Sequence, residues 1–415
     1  MKYIAHNYQS FSKSKYARVL SPTELDRLSI LSDVFPFKVN NYVLDYLIDW
    51  GNYHNDPIYN LVFPVSPMLN ENDFNRLGSI KNKVSAKNYI EEVRKIQNGL
   101  NPHPAGQIEL NIPSGYAGMQ HKYRNTLLFF PQQGQTCHAY CSFCFRWPQF
   151  TGNKEWKIAS QNVIQLVSYL NQNPQVSDLI FTGGDPLIMS SKLIRLYIEP
   201  LLKPKVSGLN TIRIGTKALS YWPQRFVTDS DSEDLLQLFK EIISAGYHLS
   251  IMAHFNHSNE LKTTIVQSAI EKILSSGATI RTQAPILKTV NASPSIWADL
   301  WSKQVSLGMI PYYMFLPRDT GAQSHFAMTI WEAYKIFKEA SEKVSGLVKT
   351  VRGPVMSMDE GKLRVLGKIT VMGKDAFVLD YIQSRYPENC NQPFLKNFSS
   401  TAIWWDELEE FTLIN

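Results

Sequence analysis

From residue 126 to about residue 343, short apolar segments alternate with longer amphipathic ones. The short segments are rich in β-branched and aromatic residues and predict strands, whereas the longer ones repeat apolar positions at helical spacing. The predicted strands are TLLFF (126–130), DLIFT (178–182), TIRIG (211–215), LSIMAHF (249–255), TIRTQ (279–283) and IPYYMF (310–315). Six strand–helix units predict an α/β fold, a partial (β/α)6 barrel with helices outside a parallel sheet.

The flanking segments have different patterns. Residues 1–120 predict a helical region that includes a capped helix start at Ser21-Pro22-Thr23-Glu24, followed by a Pro- and Gly-rich linker over 101–118. Residues 346–415 lose the strand–helix repeat, and KITVMGKDAFVL predicts a hairpin. We therefore expect three parts: an N-terminal region (1–120), a core barrel (121–345) and a C-terminal cap (346–415).

Composition narrows the class of protein. The chain has 415 residues, 44% apolar and 19% charged, which is typical of a globular protein with a large core. The net charge of +6 is dispersed along the chain, so nucleic-acid binding is not indicated. The N-terminal residues lack the apolar stretch of a signal peptide, and no segment has the length of a membrane span. These features predict a soluble, cytoplasmic protein that binds neither nucleic acid nor membrane.

Three of the four cysteines lie together, at Cys137, Cys141 and Cys144, directly after the first predicted strand. Three thiolates can hold a four-iron cluster with one iron lacking a protein ligand, whereas electron-transfer clusters use four cysteines. A zinc site is the alternative, although no second Cys or His pair follows at matching spacing. A disulfide needs an oxidising compartment, which nothing here indicates. The carboxyl ends of parallel strands carry the active sites of such folds, so we expect the cysteines there.

The C-x3-C-x2-C motif, with Phe143 before its last cysteine, resembles that of the radical S-adenosylmethionine superfamily. Within it, residues of about 120–365 look most like lysine 2,3-aminomutase and its relatives. This resemblance implies a [4Fe-4S] cluster that cleaves S-adenosylmethionine to a 5′-deoxyadenosyl radical. It also implies pyridoxal 5′-phosphate, which holds the amino-acid substrate as an imine while the amino group moves from the α- to the β-carbon. A flavodoxin- or ferredoxin-like reductant is expected as a partner, and a homo-oligomer is an open possibility.

The resemblance also suggests which residues contact S-adenosylmethionine. Gly183, Gly184 and Asp185 end the second predicted strand, where two glycines allow close approach of the backbone and the aspartate accepts hydrogen bonds. The family has Gly-Gly-Asp there, contacting the amino group of S-adenosylmethionine. His254 and Gln283 end the fourth and fifth predicted strands and match further contacts, although strand ends often carry structural residues of these types. Core packing is the preferred role for Tyr221 and Trp222, which follow the third strand.

The remaining implied residues concern the substrate and the second cofactor. Arg146 matches the arginine that holds the substrate α-carboxylate, a pairing suited to the guanidinium fork. Lys362 matches the lysine that binds pyridoxal phosphate, although the family's glycine run is reduced here to Gly361; Lys368 and Lys374 are lesser candidates. Arg124, with Lys122 beside it, matches an arginine for the cofactor phosphate.

Arg318 marks the clearest departure from the family. Lysine-specific members place an aspartate at this position to receive the substrate ε-ammonium, and this chain has Asp319 one residue later. A cation at this point would repel a lysine side chain and attract a carboxylate. We therefore expect a substrate other than lysine, with an acidic amino acid favoured; the alternative is that Asp319 turns inward and lysine is retained.

Two further hypotheses remain at the level of sequence. The first is a radical S-adenosylmethionine enzyme that does not use pyridoxal phosphate and modifies a peptide or protein, which the shortened glycine run favours. The second is a non-catalytic iron–sulfur or zinc protein. Cys390, far along the chain from the cysteine motif, is interpreted as structural.

Overall fold

The computed structural model describes residues 1–103 and 111–412. Its centre is an eleven-stranded sheet in the order β13-β12-β11-β10-β9-β8-β7-β6-β5-β4-β3, and β1 and β2 form a separate two-stranded sheet. The strands are β1 (Ala5–His6), β2 (Val39–Asn40), β3 (Met119–Tyr123), β4 (Thr126–Phe129), β5 (Asp178–Phe181), β6 (Thr211–Thr216), β7 (His248–His254), β8 (Thr279–Pro285), β9 (Ile310–Phe315), β10 (Arg352–Ser357), β11 (Gly361–Val371), β12 (Lys374–Ser384) and β13 (Phe394–Asn397).

Strands β4 to β9 are parallel to one another, and they are the six strands predicted from the sequence. Helices connect them on the outer side, as right-handed crossovers require. The sheet does not close on itself, since β3 and β13 remain its edges. The prediction of a partial (β/α)6 barrel is therefore confirmed. The helices are α1 (Tyr8–Phe11), α2 (Pro22–Val34), α3 (Pro57–Val62), α4 (Glu71–Ile80), α5 (Ala86–Gly99), α6 (Val163–Gln172), α7 (Ser191–Leu202), α8 (Ala218–Tyr221), α9 (Ser232–Ser244), α10 (Thr264–Ser275), α11 (Pro294–Ser306), α12 (Gln323–Phe326) and α13 (Ile330–Glu342).

Alternation along the strands separates a helix-facing side from an inner side. On β8, Ile280, Thr282 and Ala284 are buried, whereas Arg281 and Gln283 between them are only half-buried. Successive side chains of a strand point to opposite faces, so the two sets lie on opposite sides of the sheet. Polar residues therefore face the interior of the partial barrel, which is where ligands can be held.

The C-terminal strands extend the same sheet. Strand β10 runs parallel to β9, and β11, β12 and β13 follow as an antiparallel meander. The hairpin between β11 and β12 turns at Met372 and Gly373, both with positive φ (49° and 80°), as two-residue hairpin turns require. This hairpin is confirmed. The division of the chain into three parts stays a prediction, because its last boundary falls where one sheet continues.

The N-terminal region covers the cysteine loop. Helix α2 begins with the predicted capping box, in which Ser21 and Glu24 bond reciprocally. The Tyr140 N–H donates to the Lys38 carbonyl at 2.8 Å, and the Ser142 N–H donates to the Leu61 carbonyl at 2.9 Å. The loop is thus held from both sides, by the barrel and by this region. Within the predicted linker, residues 104–110 lie outside the described residues.

Among the helices of residues 1–103 and 111–412, none combines the length and apolar character needed to span a bilayer.

Candidate functional site

A cavity of about 360 Å³ lies at the carboxyl ends of the parallel strands, where the sequence places the cysteines. It is lined by eleven of the twelve residues predicted for the site, and Arg124 is the exception. The eleven are Cys137, Cys141, Cys144, Arg146, Gly183, Gly184, Asp185, His254, Gln283, Arg318 and Lys362.

The three cysteines are free, half-buried thiols on one wall of this cavity. Among the described residues, no three His, Cys, Asp or Glu side chains are grouped closely enough to bind one metal ion. A four-iron cluster binds each thiolate at a different iron of its cube, so the three thiols can lie farther apart than the ligands of one metal ion. Burial raises the pKa of the Cys141 thiol to about 12, while the charge of Lys217 acts in the opposite direction. A cluster bound here would displace the thiol protons, and the charge of Lys217 would favour the resulting thiolate of Cys141.

The two glycines at the end of β5 allow the cysteine loop to pack against it. A Cβ on Gly184 would lie 2.5 Å from the backbone N and O of Thr136, and one on Gly183 (φ 123°) would meet the side chain of Gln135 at 2.2 Å. The Asp185 N–H also donates to the Thr136 carbonyl at 2.7 Å. The Gly-Gly pair thus fixes the position of the residue before Cys137, a reason for glycine that is independent of any ligand.

Asp185 is buried, and its carboxylate is engaged by the protein. One oxygen accepts from the Leu187 N–H at 3.0 Å and the other from the Lys217 N–H at 2.9 Å, while the Thr216 hydroxyl contacts both at 2.7 and 2.9 Å. These bonds join the end of β5 to the end of β6. Asp185 therefore holds two strand ends in register beneath the glycine turn, in addition to lining the cavity.

His254 lies at the end of β7 with its ring stacked on Phe143, the aromatic residue of the cysteine motif, at 5.6 Å between centroids. Burial lowers the pKa of His254 well below its usual value, and Lys217 lowers it further. The imidazole is therefore neutral, and it covers the cysteine loop. Gln283 pairs with His254 across β7 and β8, so both residues reach the same level of the cavity.

Lys217 is a cation of this site that sequence reasoning missed. Its ammonium donates to Glu260 Oε1 at 2.6 Å, Asn256 Oδ1 at 3.1 Å and the His254 carbonyl at 3.2 Å. It also lies 4.5 Å from the ring centroid of Tyr221, whose hydroxyl accepts from the Cys141 thiol at 3.9 Å. In the sequence Lys217 is a single lysine two residues after the third predicted strand, which does not distinguish it from an exposed lysine. Tyr221 thus lines the cavity, whereas Trp222 is buried in the core and bonds Asp229.

Three cations converge on another part of the wall: Arg146, Arg318 and Lys122. Arg318 forms an ion pair with Asp359, with 3.7 Å between the guanidinium and the carboxylate. The Lys122 ammonium donates to the Ser357 hydroxyl at 3.2 Å, and burial, followed by the charges of Arg318 and Arg146, lowers its pKa to about 7. Burial also lowers the pKa of Arg146 to about 10. Positive charge thus exceeds negative charge here, which favours an anionic occupant.

Lys122 takes the place in the cavity that the sequence assigned to Arg124. Strand β3 ends at Tyr123 and β4 begins at Thr126, so Arg124 lies in the two-residue turn between them. That turn is at the amino end of β4, and Arg124 is exposed there. The structure therefore separates Arg124 from the cysteine cavity, and the reason is a hairpin turn that reverses the chain.

Lys362 lies at the start of β11, and its ammonium faces the aromatic rings of Tyr123 and Tyr313, at 5.2 and 4.9 Å from their centroids. It donates to Gln383 Oε1 at 2.9 Å. Burial lowers its pKa well below the usual value, and the charges of Lys122 and Arg213 add to this effect. The hydroxyl of Tyr123 is buried, and no described residue forms a hydrogen bond with it. A nucleophilic amine beside an unsatisfied hydroxyl and nearby cations fits the demands of pyridoxal phosphate.

The alternative residues lie elsewhere. Lys368 pairs with Asp375 at 2.7 Å, and Lys374 donates to the Thr412 carbonyl at 3.1 Å, both outside the cavity. Asp319 pairs with the imidazole of His103 at 2.9 Å and does not line the cavity. The Thr320 and Gly321 backbone next to it is anchored too, since the Gly321 N–H donates to the Leu100 carbonyl at 2.7 Å. Arg318, rather than Asp319, thus faces the site.

An open parallel barrel with three cysteines at C-x3-C-x2-C spacing on its carboxyl side is the arrangement that the resemblance to radical S-adenosylmethionine proteins predicts. No family model matches the chain. Sequence comparison finds a putative L-lysine 2,3-aminomutase of Aquifex aeolicus, 27% identical over 396 residues, which covers 95% of this chain and 94% of the relative. An L-lysine 2,3-aminomutase of Haemophilus influenzae is 30% identical over 231 residues, covering 54% of this chain and 62% of the relative.

Over almost its whole length the chain is similar to lysine 2,3-aminomutase-like proteins, which are radical S-adenosylmethionine proteins. This similarity supports an enzyme, and that class of protein implies a four-iron cluster and S-adenosylmethionine. Among solved structures, Streptococcus suis SuiB bound to S-adenosylmethionine superposes with a TM-score of 0.36 at 11% identity, over 65% of this chain and 57% of that one. Neither the fold nor the family rests on that superposition.

Proposed function

We propose that the protein is an amino-acid 2,3-aminomutase that acts on an acidic amino acid and carries pyridoxal phosphate on Lys362. The observation that carries this proposal is that the Lys362 amine opens into the same cavity as the three cysteines. The family's cofactors would supply a hydrogen-abstracting adenosyl radical and an electron-delocalising pyridine ring. The chain's own residues bind, orient and shield the reacting groups.

Lys362 is prepared for attachment to a carbonyl group. Because burial and neighbouring cations lower its pKa, the amine is more often neutral than an exposed lysine, and only the neutral amine is nucleophilic. Lys122 is the cation placed to hold an anionic group beside it, and the Tyr123 hydroxyl is free to bond the same group. These residues support a phosphate position on this wall.

Arg146 and Arg318 support a substrate with two carboxylates. Arg146 stands two residues after Cys144, and its guanidinium lies 4.6 Å from the ring centroid of Phe130 with no side-chain ion pair among the described residues. It is free to hold the α-carboxylate next to the radical source. Arg318 offers a second cationic group, whereas a lysine side chain would bring another positive charge to this wall. We therefore assign the second carboxylate to Arg318.

Water is kept from the radical by packing. The stacked Phe143 and His254 rings cover the cysteine loop, and Phe326 lies edge-on to Phe143 with centroids 6.2 Å apart. The neutral imidazole of His254 can pack beside Lys217 because it adds no second positive charge to this wall. Exclusion of water protects a reactive intermediate and strengthens the electrostatic contacts within the cavity.

The test compares glutamate and lysine as substrates of the anaerobically reconstituted enzyme. We expect β-glutamate from glutamate and little or no β-lysine from lysine, and Arg318→Asp should lower kcat/KM for glutamate by roughly 10- to 100-fold. β-Lysine as the sole product of the unaltered enzyme would contradict the assignment of Arg318. Arg94→Gln, at an exposed position of α5, is the matched control.

A second measurement separates the proposal from a pyridoxal-phosphate-independent peptide modification. Borohydride reduction of the loaded protein followed by peptide mapping should locate pyridoxal phosphate on Lys362. Absence of the label from that peptide, together with 5′-deoxyadenosine formation that depends on an added peptide, would favour the alternative. A protein that forms no 5′-deoxyadenosine at all would be the non-catalytic iron–sulfur protein.

A further inference from the structure

A second and larger cavity, of about 890 Å³, lies at the amino ends of the strands, opposite the cysteines. It is bounded by the first residues of several strands, including Asp178, Thr211 and His248, and by the end of β12 with the segment after it. Residues at this end of a parallel barrel normally serve stability rather than binding. The composition of this cavity is therefore unexpected.

Four arginines line the amino-end cavity: Arg124, Arg213, Arg281 and Arg352. Its one lining carboxylate, Asp178, is already paired with Arg213, whose Nε donates to Asp178 Oδ1 at 2.8 Å. Arg124, Arg281 and Arg352 form no ion pair among the described residues. Three guanidiniums thus face one concavity without a protein counter-ion.

Two of these guanidiniums are held in place by an aromatic ring. The guanidinium carbons of Arg281 and Arg352 both lie over the ring of Tyr312, 5.2 and 5.0 Å from its centroid. Stacking of this kind orients the planar guanidinium and limits the rotamers of the side chain. Less conformational entropy is therefore lost when an anion binds. The hydroxyls of Thr211 and Ser250 also line the cavity and can donate to oxygen atoms.

We propose that the amino-end cavity binds a small polyanion that bears phosphate groups, held by Arg124, Arg281 and Arg352. The three unpaired guanidiniums match a ligand with about the charge of a diphosphate, and forked arginine contacts suit phosphate oxygens. A concave site concentrates the positive potential, whereas arginines dispersed on an open surface would be screened by water. An acidic electron-transfer partner is a poorer match, because the cysteines lie at the other end of the strands.

The amino-end cavity shares a wall with the cysteine cavity. Thr126, Arg213 and Tyr313 line both, and Gln383, which accepts from Lys362, lines the amino-end cavity. Arg213 and Arg352 are among the cations that lower the pKa of Lys362. A bound polyanion would offset their charge, so we expect it to raise the pKa of Lys362. The site thereby connects a phosphate-bearing ligand to the reactivity of that amine.

The experiment measures binding of pyrophosphate to the full-length protein by calorimetry, with inorganic phosphate, citrate and chloride compared at equal ionic strength. We expect pyrophosphate to bind best and the Arg281→Gln/Arg352→Gln double variant to lose affinity by roughly 10-fold or more per arginine. Arg94→Gln should bind as the unaltered protein does. Circular dichroism and 5′-deoxyadenosine formation should be unchanged in the double variant, which separates binding from folding and from the proposed activity.

Three outcomes would overturn the proposal. The first is that pyrophosphate binds no better than chloride of equal ionic strength. The second is that the double variant binds pyrophosphate with unchanged affinity, which would place the ligand elsewhere. The third is that pyridoxal phosphate displaces pyrophosphate and the double variant no longer takes up label at Lys362, because these arginines would then serve the cofactor phosphate and no separate site would exist.

Discussion

The two cavities of the partial barrel are both rich in cations, yet they differ in how far those cations are exposed to solvent. In the cysteine cavity the cations are enclosed, and burial lowers the pKa of Lys122 and Lys362. In the amino-end cavity Arg124 and Arg352 are exposed to solvent. Burial lowers the pKa of a lysine, so that more of its amine is neutral and nucleophilic. An arginine exposed to solvent keeps its positive charge. The first cavity is therefore suited to chemistry and the second to binding.

The choice of residue type follows the same division. The enclosed cavity is lined by three lysines, Lys122, Lys217 and Lys362, together with arginines, whereas the described lining of the amino-end cavity contains arginines and no lysine. Lysine can lose its proton when buried, and arginine cannot at any ordinary pH. Variants that remove a defining group from one cavity, with the other cavity as the reference, test this contrast.

Replacing a cysteine of the motif should have the largest effect. Cys144→Ser removes one of three thiolates, so we expect loss of the cluster and a fall in 5′-deoxyadenosine formation of roughly 1000-fold or more. Iron content, visible absorbance and the spin-resonance signal of the reduced protein measure the first effect directly. Cys390→Ser, at the edge of the amino-end cavity, should retain iron and activity. Equal iron loss in both variants would contradict the assignment.

Lys362→Arg tests the enclosed amine. Arginine keeps the positive charge but cannot attach to a carbonyl near neutral pH, so amino-group migration should fall by roughly 1000-fold. Formation of 5′-deoxyadenosine should persist, uncoupled from migration, because the cysteines are untouched. Lys374→Arg, on the exposed hairpin, is the matched control. Full migration activity in Lys362→Arg would exclude this lysine as the cofactor-bearing residue.

Gly184→Ala tests how the cysteine cavity is held together. The new Cβ would lie 2.5 Å from the Thr136 backbone and 2.7 Å from the Gly134 carbonyl, and backbone cannot yield as a flexible side chain does. We expect the free energy of unfolding to fall by about 2–4 kcal/mol and iron to be retained less well. Gly99→Ala, which meets nothing within 4 Å, should change it by less than about 0.5 kcal/mol. Chemical denaturation of both variants provides the measurement.

The features that depend on the spacing of nearby residues could be predicted from the sequence. Six strands, the capping box at Ser21 and the hairpin at Met372 follow from patterns within a few residues, and the cysteine motif carries its chemistry in its spacing. Pairing between distant segments was not predictable in this way. The continuation of the sheet from β9 into β10 depends on which distant strand supplies hydrogen bonds, and no local pattern encodes that choice.

The exchange of Arg124 for Lys122 has the same origin. The two residues lie two positions apart, and sequence alone does not show that the chain reverses between Tyr123 and Thr126. Lys217 was missed for another reason, since one lysine after a strand looks like any exposed lysine. Its role becomes visible only when β7 and the following loop bring Asn256 and Glu260 to its ammonium.

The smallest expected effect concerns pH and Lys122. The groups that face its ammonium are Arg318, Arg146 and Asp359, with Lys362 nearby. Its pKa of about 7 lies below that of a free lysine. Lys122 is therefore positively charged below pH 7 and loses this charge as the pH rises through that value. Because this cation is assigned to the phosphate position beside Lys362, the apparent affinity for pyridoxal phosphate should fall about 5- to 10-fold between pH 6 and pH 9. In Lys122→Arg the charge persists, so this step should vanish, whereas Lys122→Met should be low throughout. Pyrophosphate binding in the amino-end cavity, which depends on arginines, should show no change near pH 7 that depends on Lys122. If the change in the cysteine cavity persists in Lys122→Arg, another group must titrate there.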